Sequence, residues 1–256
     1  MKLSIVTVAL NSGDTIRETI ESVLSQSYSN FEYIIVDGGS KDKTLDIVDS
    51  YGGLIKLVNG PDRGIYDAMN KGIKKAKGDA IGFLNSDDLY MNKDVLKNIA
   101  SVLEDKYVDS CYGDIVYVKR NDLDCVVRYW KAGKYNKNEL FWGWMPPHTT
   151  FFVKKGIYQK YGDYSVDLKI SSDYEMALRL LGRFNISIEY IPDILVKMRA
   201  GGLSFQMINF IQKYSEDYLS WKINGLGNDI QALAAVTMKK MMKIPQYFKK
   251  PLVESK

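Results

Sequence analysis

The sequence is short of histidine, cysteine and proline, with one, two and six residues of each in 256. The single His148 excludes multi-histidine zinc sites such as H-E-x-x-H, and Cys111 with Cys125 cannot supply a cysteine-rich metal site. Two cysteines in so long a chain also fit a reducing compartment, and both read as buried thiols. No stretch reaches the roughly 20 apolar residues of a membrane-spanning helix. The opening MKLSIVTVAL runs into polar NSGDT without a small-residue cleavage site. It therefore reads as a first β-strand, which predicts a cytoplasmic protein. G-x-G-x-x-G, G-x-x-x-x-G-K-[ST] and G-x-S-x-G are all absent. Neither a dinucleotide dehydrogenase, nor a P-loop enzyme, nor a nucleophile elbow is supported.

What is present is an ordinary globular composition, 46% hydrophobic, 12% aromatic and 26% charged, with material for a sizeable core. The net charge of +4 is unevenly placed: residues 238–256 carry six lysines and one acid, so the remainder sums to −1. A near-neutral body is poorly suited to gripping nucleic-acid phosphates, and no nucleic-acid partner is expected.

The first hundred residues alternate strand and helix. Strands are predicted at 3–10, 33–37, 54–58 and 80–84. Helices are predicted at 15–26, from Ser40 or Asp42 through Val48, and at 65–76, where apolar residues recur at helical spacing. Asp14 can cap the first helix, with Thr15 and Glu18 as a capping box. This rhythm predicts a doubly wound, mainly parallel α/β sheet, in which ligands bind beyond the carboxyl ends of strands. The second half is less regular, with strands expected near 114–118, 125–130, 149–153 and 186–191 and helices at 173–182, 205–222 and 228–243.

Two acidic clusters fall at strand ends. Asp87 and Asp88 follow Asn85 and Ser86 just past an apolar strand. Hard divalent cations take such oxygen ligands, often with substrate phosphates; equally, either acid, or Asp94, could cap the next helix. Asp37 precedes Gly38-Gly39-Ser40, where glycines permit close ligand approach and a carboxylate can bond a ribose or a base edge. A tight turn with a helix cap explains the same residues.

The combination is more specific than its parts. LSIVTVALNSGDTIRETIESVLSQSYSNFEYIIVDGGSKDKT, followed by DRGIYDAMNKGIKKAKGDAIGFLNSDD, resembles the inverting family 2 glycosyltransferases of GT-A fold, in particular those of bacterial polysaccharide assembly. PHTTFFVKKGIYQKYG and DLKISSDYEMALRLLG extend the resemblance to about residue 204. It implies a mixed, mainly parallel GT-A sheet over residues 1–204 and a basic helical extension over 205–256. Asp37 would contact the donor's nucleoside, with Thr7, Ala9 and Asn11 lining the base pocket and Asp62 and Arg63 approaching the nucleotide. NSDD stands where the family has D-x-D; Asn85 replaces the first acid, which leaves Asp87 as the first metal ligand and Asp88 as its backup for Mn²⁺ or Mg²⁺. Asp173 takes the place of the catalytic base, preceded here by Ser172 where the family often has glutamate. Otherwise Asp173 would be a helix cap, worth about 1 kcal/mol.

His148, Trp142 and Trp144 would lie on the acceptor side, although each can also be structural. Arg199, with Gly201-Gly202-x-Ser204, could close a loop over the diphosphate. The implied reaction moves a sugar from a nucleotide-diphosphate sugar, a UDP-sugar by expectation, to a saccharide or polyprenyl-linked acceptor for polysaccharide, capsule or O-antigen assembly. Two alternatives stand beside it: an inactive family member serving assembly, and a nucleotidyltransferase, although ALNSGDT lacks that class's cationic phosphate loop. In the tail, Ile230, Leu233, Ala234, Thr237, Met238 and Met241 share one helical face and Lys239, Lys240 and Lys243 the other. A basic amphipathic segment over 228–250 suits the inner face of a membrane; a helix packed on the body with solvated lysines is the other reading.

Overall fold

Alternating buried strands generate two cores because successive side chains face opposite sides of a sheet. The computed structural model describes residues 1–201, 210–242 and 244–248. Its first half runs β1 (Leu3–Ala9), α1 (Ile16–Leu24), β2 (Phe31–Asp37), α2 (Thr44–Asp49), β3 (Lys56–Asn59), α3 (Ile65–Lys75), β4 (Ala80–Phe83), β5 (Leu89–Tyr90) and α4 (Val95–Leu103). The second half runs β6 (Ser110–Lys119), β7 (Asp122–Trp130), α5 (Lys137–Leu140), β8 (Phe152–Lys154), α6 (Lys155–Tyr161), α7 (Ser172–Ala177), β9 (Ile188–Arg199), α8 (Phe210–Asn224) and α9 (Asp229–Met241).

The strands form one mixed sheet in the order β3-β2-β1-β4-β8-β6-β9-β5, with β7 paired to β6. The first four strands are parallel, β8 is antiparallel to both its neighbours, and β6 and β9 are parallel. On one face, Leu3, Ile5 and Ile35 pack on Ile16 and Ile20 of α1, Val48 of α2 and Ile99 of α4. On the other, Val6, Ile34 and Val36 pack on Met69 and Ile73 of α3 and continue to α7, α8 and α9. Gly72 of α3 lies directly over Val6, and a Cβ there would overlap the valine side chain. That contact brings α3 close to the sheet and sets where its N-terminus opens.

Several local expectations change in three dimensions. The helix over 173–182 is α7 followed by a π-helical turn, Leu178–Arg183. β9 is longer than the expected 186–191, and its far end pairs with the two-residue β5. The capping box at α1 does not form: Thr15 makes no side-chain cap, its hydroxyl donates to Ser86 O at 3.0 Å, and Glu18 pairs with Arg199. Both cysteines are free; Cys111 is buried but Cys125 only half-buried.

The tail expectation changes most. In α9 the buried residues are Ala232, Ala235, Val236 and Lys239, whereas Ile230, Leu233 and Met241 are exposed. The Lys239 ammonium points inward, 3.0 Å from Asp217 of α8. Buried Trp221 of α8 donates to the Tyr174 hydroxyl of α7 at 2.9 Å. The helix therefore packs by its small-residue face, because alanines permit close approach, and it turns its larger apolar side chains outward. Residues 202–209, which contain the expected boundary near 204, as well as Lys243 and residues 249–256, lie outside the described residues.

Candidate active site

The carboxyl ends of β1, β2 and β4 open into an outer cavity. Ala9, Asn11, Asp62, Ser86 and Asp87 are among its walls. Asp37 stands beside it but is fully buried. Its Oδ1 accepts the Gly39 and Ser40 amides at 2.9 and 2.7 Å, and its Oδ2 accepts the Ser40 hydroxyl at 2.6 Å. Gly39 takes a φ of +96° in this turn, a conformation glycine adopts freely. Gly38 abuts Asp62, so a Cβ at 38 would overlap Asp62 Oδ2. Asn11, with a φ of +50°, accepts the Lys41 amide at 2.9 Å and so locks the first strand end to the Asp37 turn. Thr7 faces the core, 3.0 Å from the Tyr33 hydroxyl, and Arg63 lies outside on the surface, 3.6 Å from Asp67.

The four residues after β4 divide their work. Ser86 Oγ meets Ser12 Oγ at 2.8 Å, tying the loop to the start of α1. Asp88 is turned inside, with Oδ2 accepting the Asn85 amide group at 2.8 Å and Oδ1 accepting the Arg199 backbone N–H at 3.1 Å. Asp87 faces the cavity, 3.7 Å from Arg120 Nη1. Burial raises the pKa of both carboxyls; Arg120 opposes this at Asp87, while the Asp87 charge adds to it at Asp88. Arg199 is itself buried: Nη1 donates to Asp87 O at 2.6 Å, Nε to Arg120 O at 3.1 Å, and Nη2 to Glu18. It braces the Asp87 loop within the same cavity wall. Among the described residues no three acidic, histidine or cysteine side chains cluster as a metal site. The donor set is one accessible carboxylate beside a cavity, which fits a hard divalent cation completed by substrate phosphates and water.

An inner cavity adjoins the outer one; Ile65, Asn85, Tyr117, Arg128 and Met198 border both. Its walls include Asp173, His148, Trp144, Lys213 and Lys239. Asp173 lies in the first turn of α7, where the partial positive charge of the helix favours a carboxylate. Tyr66 of α3 donates to Asp173 Oδ1 at 3.2 Å and to Ile170 O at 2.8 Å. Burial alone would raise the pKa of Asp173, but the ammonium charges of Lys213 and Lys239 hold it below the ordinary carboxylate range. Tyr66 moves the other way, raised by burial and by Asp173, so the phenol keeps its proton as the donor. His148 stacks on Phe83 at 6.3 Å; burial lowers its pKa, which favours neutral imidazole. Its Nε2 is buried without a hydrogen-bond partner among the described residues. Burial brings Lys239 down to about 8 despite Asp217.

The structure thus gathers Ala9, Asn11, Asp62, Asn85, Ser86, Asp87, Asp88 and Arg199 around one cavity and Trp144, His148 and Asp173 around the other. Trp144 is buried, its indole N–H donating to Ala132 O at 2.9 Å. Trp142 is 58% exposed and borders neither cavity. Sequence reasoning missed Tyr66, Arg128, Lys213 and Lys239. The alternation of Arg128 with Tyr129 and Trp130 in a strand was the one signal available.

The mixed sheet, whose parallel half borders the outer cavity and whose strands β6, β7 and β9 border the inner one, has the GT-A fold. The chain belongs to glycosyl transferase family 2, whose model matches residues 4–162. It is 26% identical over 212 residues to a PGL/p-HBAD biosynthesis glycosyltransferase of Mycobacterium bovis, covering 80% of each chain. Among solved structures, TarS of S. aureus in complex with UDP-GlcNAc superposes with a TM-score of 0.73 at 20% identity, over 94% of this chain and 73% of that one. A mannosyltransferase of Pyrobaculum calidifontis in complex with GDP-Man and Mn²⁺ gives 0.67 at 17% identity, over 96% and 72%.

Proposed function

We propose that this chain transfers a hexosyl or N-acetylhexosaminyl group, with inversion, from a nucleotide-diphosphate sugar to a hydroxyl of a saccharide or polyprenyl-linked saccharide. The observation that carries this reading is the pair of joined cavities, Asp87 bordering the outer and Asp173 the inner. The nucleoside would sit by Asn11, Asp62 and the Asp37 turn, the diphosphate by Ser86 and Asp87, and the acceptor by His148 and Trp144. Asp173 takes the proton from the acceptor hydroxyl. That oxygen bonds to C1 of the sugar as the C1–O bond to the diphosphate breaks, and the electron pair leaves with the nucleoside diphosphate. Tyr66 and the lysines keep Asp173 ionised and oriented. His148 Nε2 can accept a second acceptor hydroxyl. Asp87 would hold Mn²⁺ or Mg²⁺, and such an ion, when bound, offsets charge developing on the leaving diphosphate.

A uridine donor has support from the UDP-GlcNAc complex of TarS, and metal use from the Mn²⁺ complex of the mannosyltransferase. The test is nucleotide release from UDP-, GDP- and dTDP-sugars, with and without Mn²⁺, in the presence of lipid-linked acceptors. Release should occur with one donor class; none from any donor would reject the reading.

The setting is polysaccharide, capsule or O-antigen assembly at the inner face of the membrane. No described helix is long and apolar enough to cross a membrane. The outward Ile230, Leu233, Met241, Ile244 and Phe248 suit contact with a bilayer surface. Flotation with anionic liposomes should fall several-fold for the double variant Ile230→Ser, Leu233→Ser; unchanged flotation would reject membrane contact.

A further inference from the structure

Arg128 of β7 is unusual among the cations of this molecule. It is 5% exposed, yet among the described residues no carboxylate pairs with it. Burying a charge is costly unless it is paired. Its guanidinium lies over three aromatic rings, 4.5 Å from Tyr117, 5.7 Å from Trp130 and 5.3 Å from Tyr247. Its polar partner is a neutral amide: Nε donates to Gln246 Oε1 at 2.8 Å and Nη2 donates to the same oxygen. That edge of the guanidinium is the one that grips a phosphate oxygen. Gln246 belongs to a short 3-10 turn, Ile244–Tyr247. Gln246 borders the inner cavity, Tyr247 the outer one, and Arg128 both.

We infer that Arg128 binds the diphosphate of the donor, and that Gln246 occupies its phosphate-binding edge until the donor displaces it. This rests on the donor reading above. A donor whose nucleoside lies in the outer cavity and whose sugar C1 faces Asp173 must carry its diphosphate past the border the cavities share. The stacked rings hold the guanidinium flat and partly dehydrated, which strengthens its attraction to an anion. The neutral amide satisfies the donors without cancelling the charge, so the turn can be displaced.

Calorimetry with inorganic pyrophosphate, UDP, GDP, dTDP and uridine on the full chain tests this. Arg128→Gln should weaken pyrophosphate and UDP about ten- to a hundredfold, with uridine unchanged. Gln246→Ala should tighten pyrophosphate about two- to tenfold. Gln246→Glu leaves Arg128 in place and should weaken it by internal competition, which keeps the test open should Arg128→Gln fail to fold. Equal pyrophosphate and UDP affinity in wild type and Arg128→Gln overturns the inference and leaves the donor reading standing. Loss of affinity in Gln246→Ala also overturns it, since Arg128 would then act by anchoring the turn. Arg128-dependent pyrophosphate binding without binding of UDP, GDP or dTDP upholds the cation site and rejects the nucleotide reading.

Discussion

The two cavities differ in how much of each the local turns supply. The outer one is floored by strand ends and the turns just after them, beside which Asp37 is fixed within a few residues by Gly39 and Ser40, and is completed by Arg120, Arg128, Arg199 and Tyr247 from later segments. The inner one draws Tyr66 from α3, His148 from the segment before β8, Asp173 from α7, Lys213 from α8 and Lys239 from α9. The part of a wall made by local turns tolerates change elsewhere in the chain. A wall assembled from five distant segments depends on every interface between them, so the C-terminal helices are part of its chemistry.

Four substitutions would break or sharpen this contrast. Asp173→Asn carries the largest expected effect, a loss of transfer of about 10²- to 10⁴-fold with nucleotide affinity unaltered. Full transfer by the variant would remove Asp173 from the base role. Lys239→Met leaves Asp217 buried without its partner and should cost about 3–5 kcal/mol in urea denaturation. The wild-type fold carries a pH signature of the same pair. Lys239 loses its proton at about 8 in the fold but near 10.4 when unfolded. The unfolded chain thus binds more protons between those values, and this residue makes stability rise with pH across that window. A wild type and a Lys239→Met protein with parallel denaturation midpoints from pH 8 to 10 would contradict that assignment.

Gly38→Ala tests the outer wall, because the new methyl overlaps Asp62. The Asp62 carboxylate must swing aside, so nucleotide affinity should drop by about 1 kcal/mol, the worth of one hydrogen bond, while Lys239 and Asp173 stay in place. An equal affinity in calorimetry would show that Asp62 moves aside without consequence. The smallest effect is expected from Lys213→Met. Lys213 is foremost among the charges that lower the pKa of Asp173. Without it the acid limb of kcat/KM should move to higher pH, with the neutral plateau nearly unchanged; a fixed limb would mean another group sets it.

Legibility in the sequence followed the range of the interactions. The turn at Asp37, the placing of Asp87 at a strand end and the α3 helix were all readable, because spacing and composition within ten residues specify them. Of the two readings of α9, the packed helix with solvated lysines fails at Lys239, which is buried. Periodicity correctly separated Ile230, Leu233 and Met241 from Lys239 and Lys240, but it cannot say which face meets the body. Here Ala232 and Ala235 allow the close approach, and Asp217 draws Lys239 inward. Arg199 was legible as a cation near the diphosphate. Only the fold shows it bonded to Glu18, Asp87 O and Arg120 O in the wall of the outer cavity.

By itself, the sequence determined the βα order, the parallel half of the sheet and the acids at its carboxyl edge, since hydrophobic period and turn chemistry act along the chain. Tertiary structure alone decided which acids face a ligand. Asp87 and Asp88 are neighbours in sequence and both lie at the outer cavity, yet Asp87 pairs with Arg120 while Asp88 is almost wholly buried and held by Asn85 and Arg199. It also decided that Asp173, Tyr66 and two lysines from separate helices share one low-dielectric wall, because such groups meet only when distant segments bury their apolar faces together.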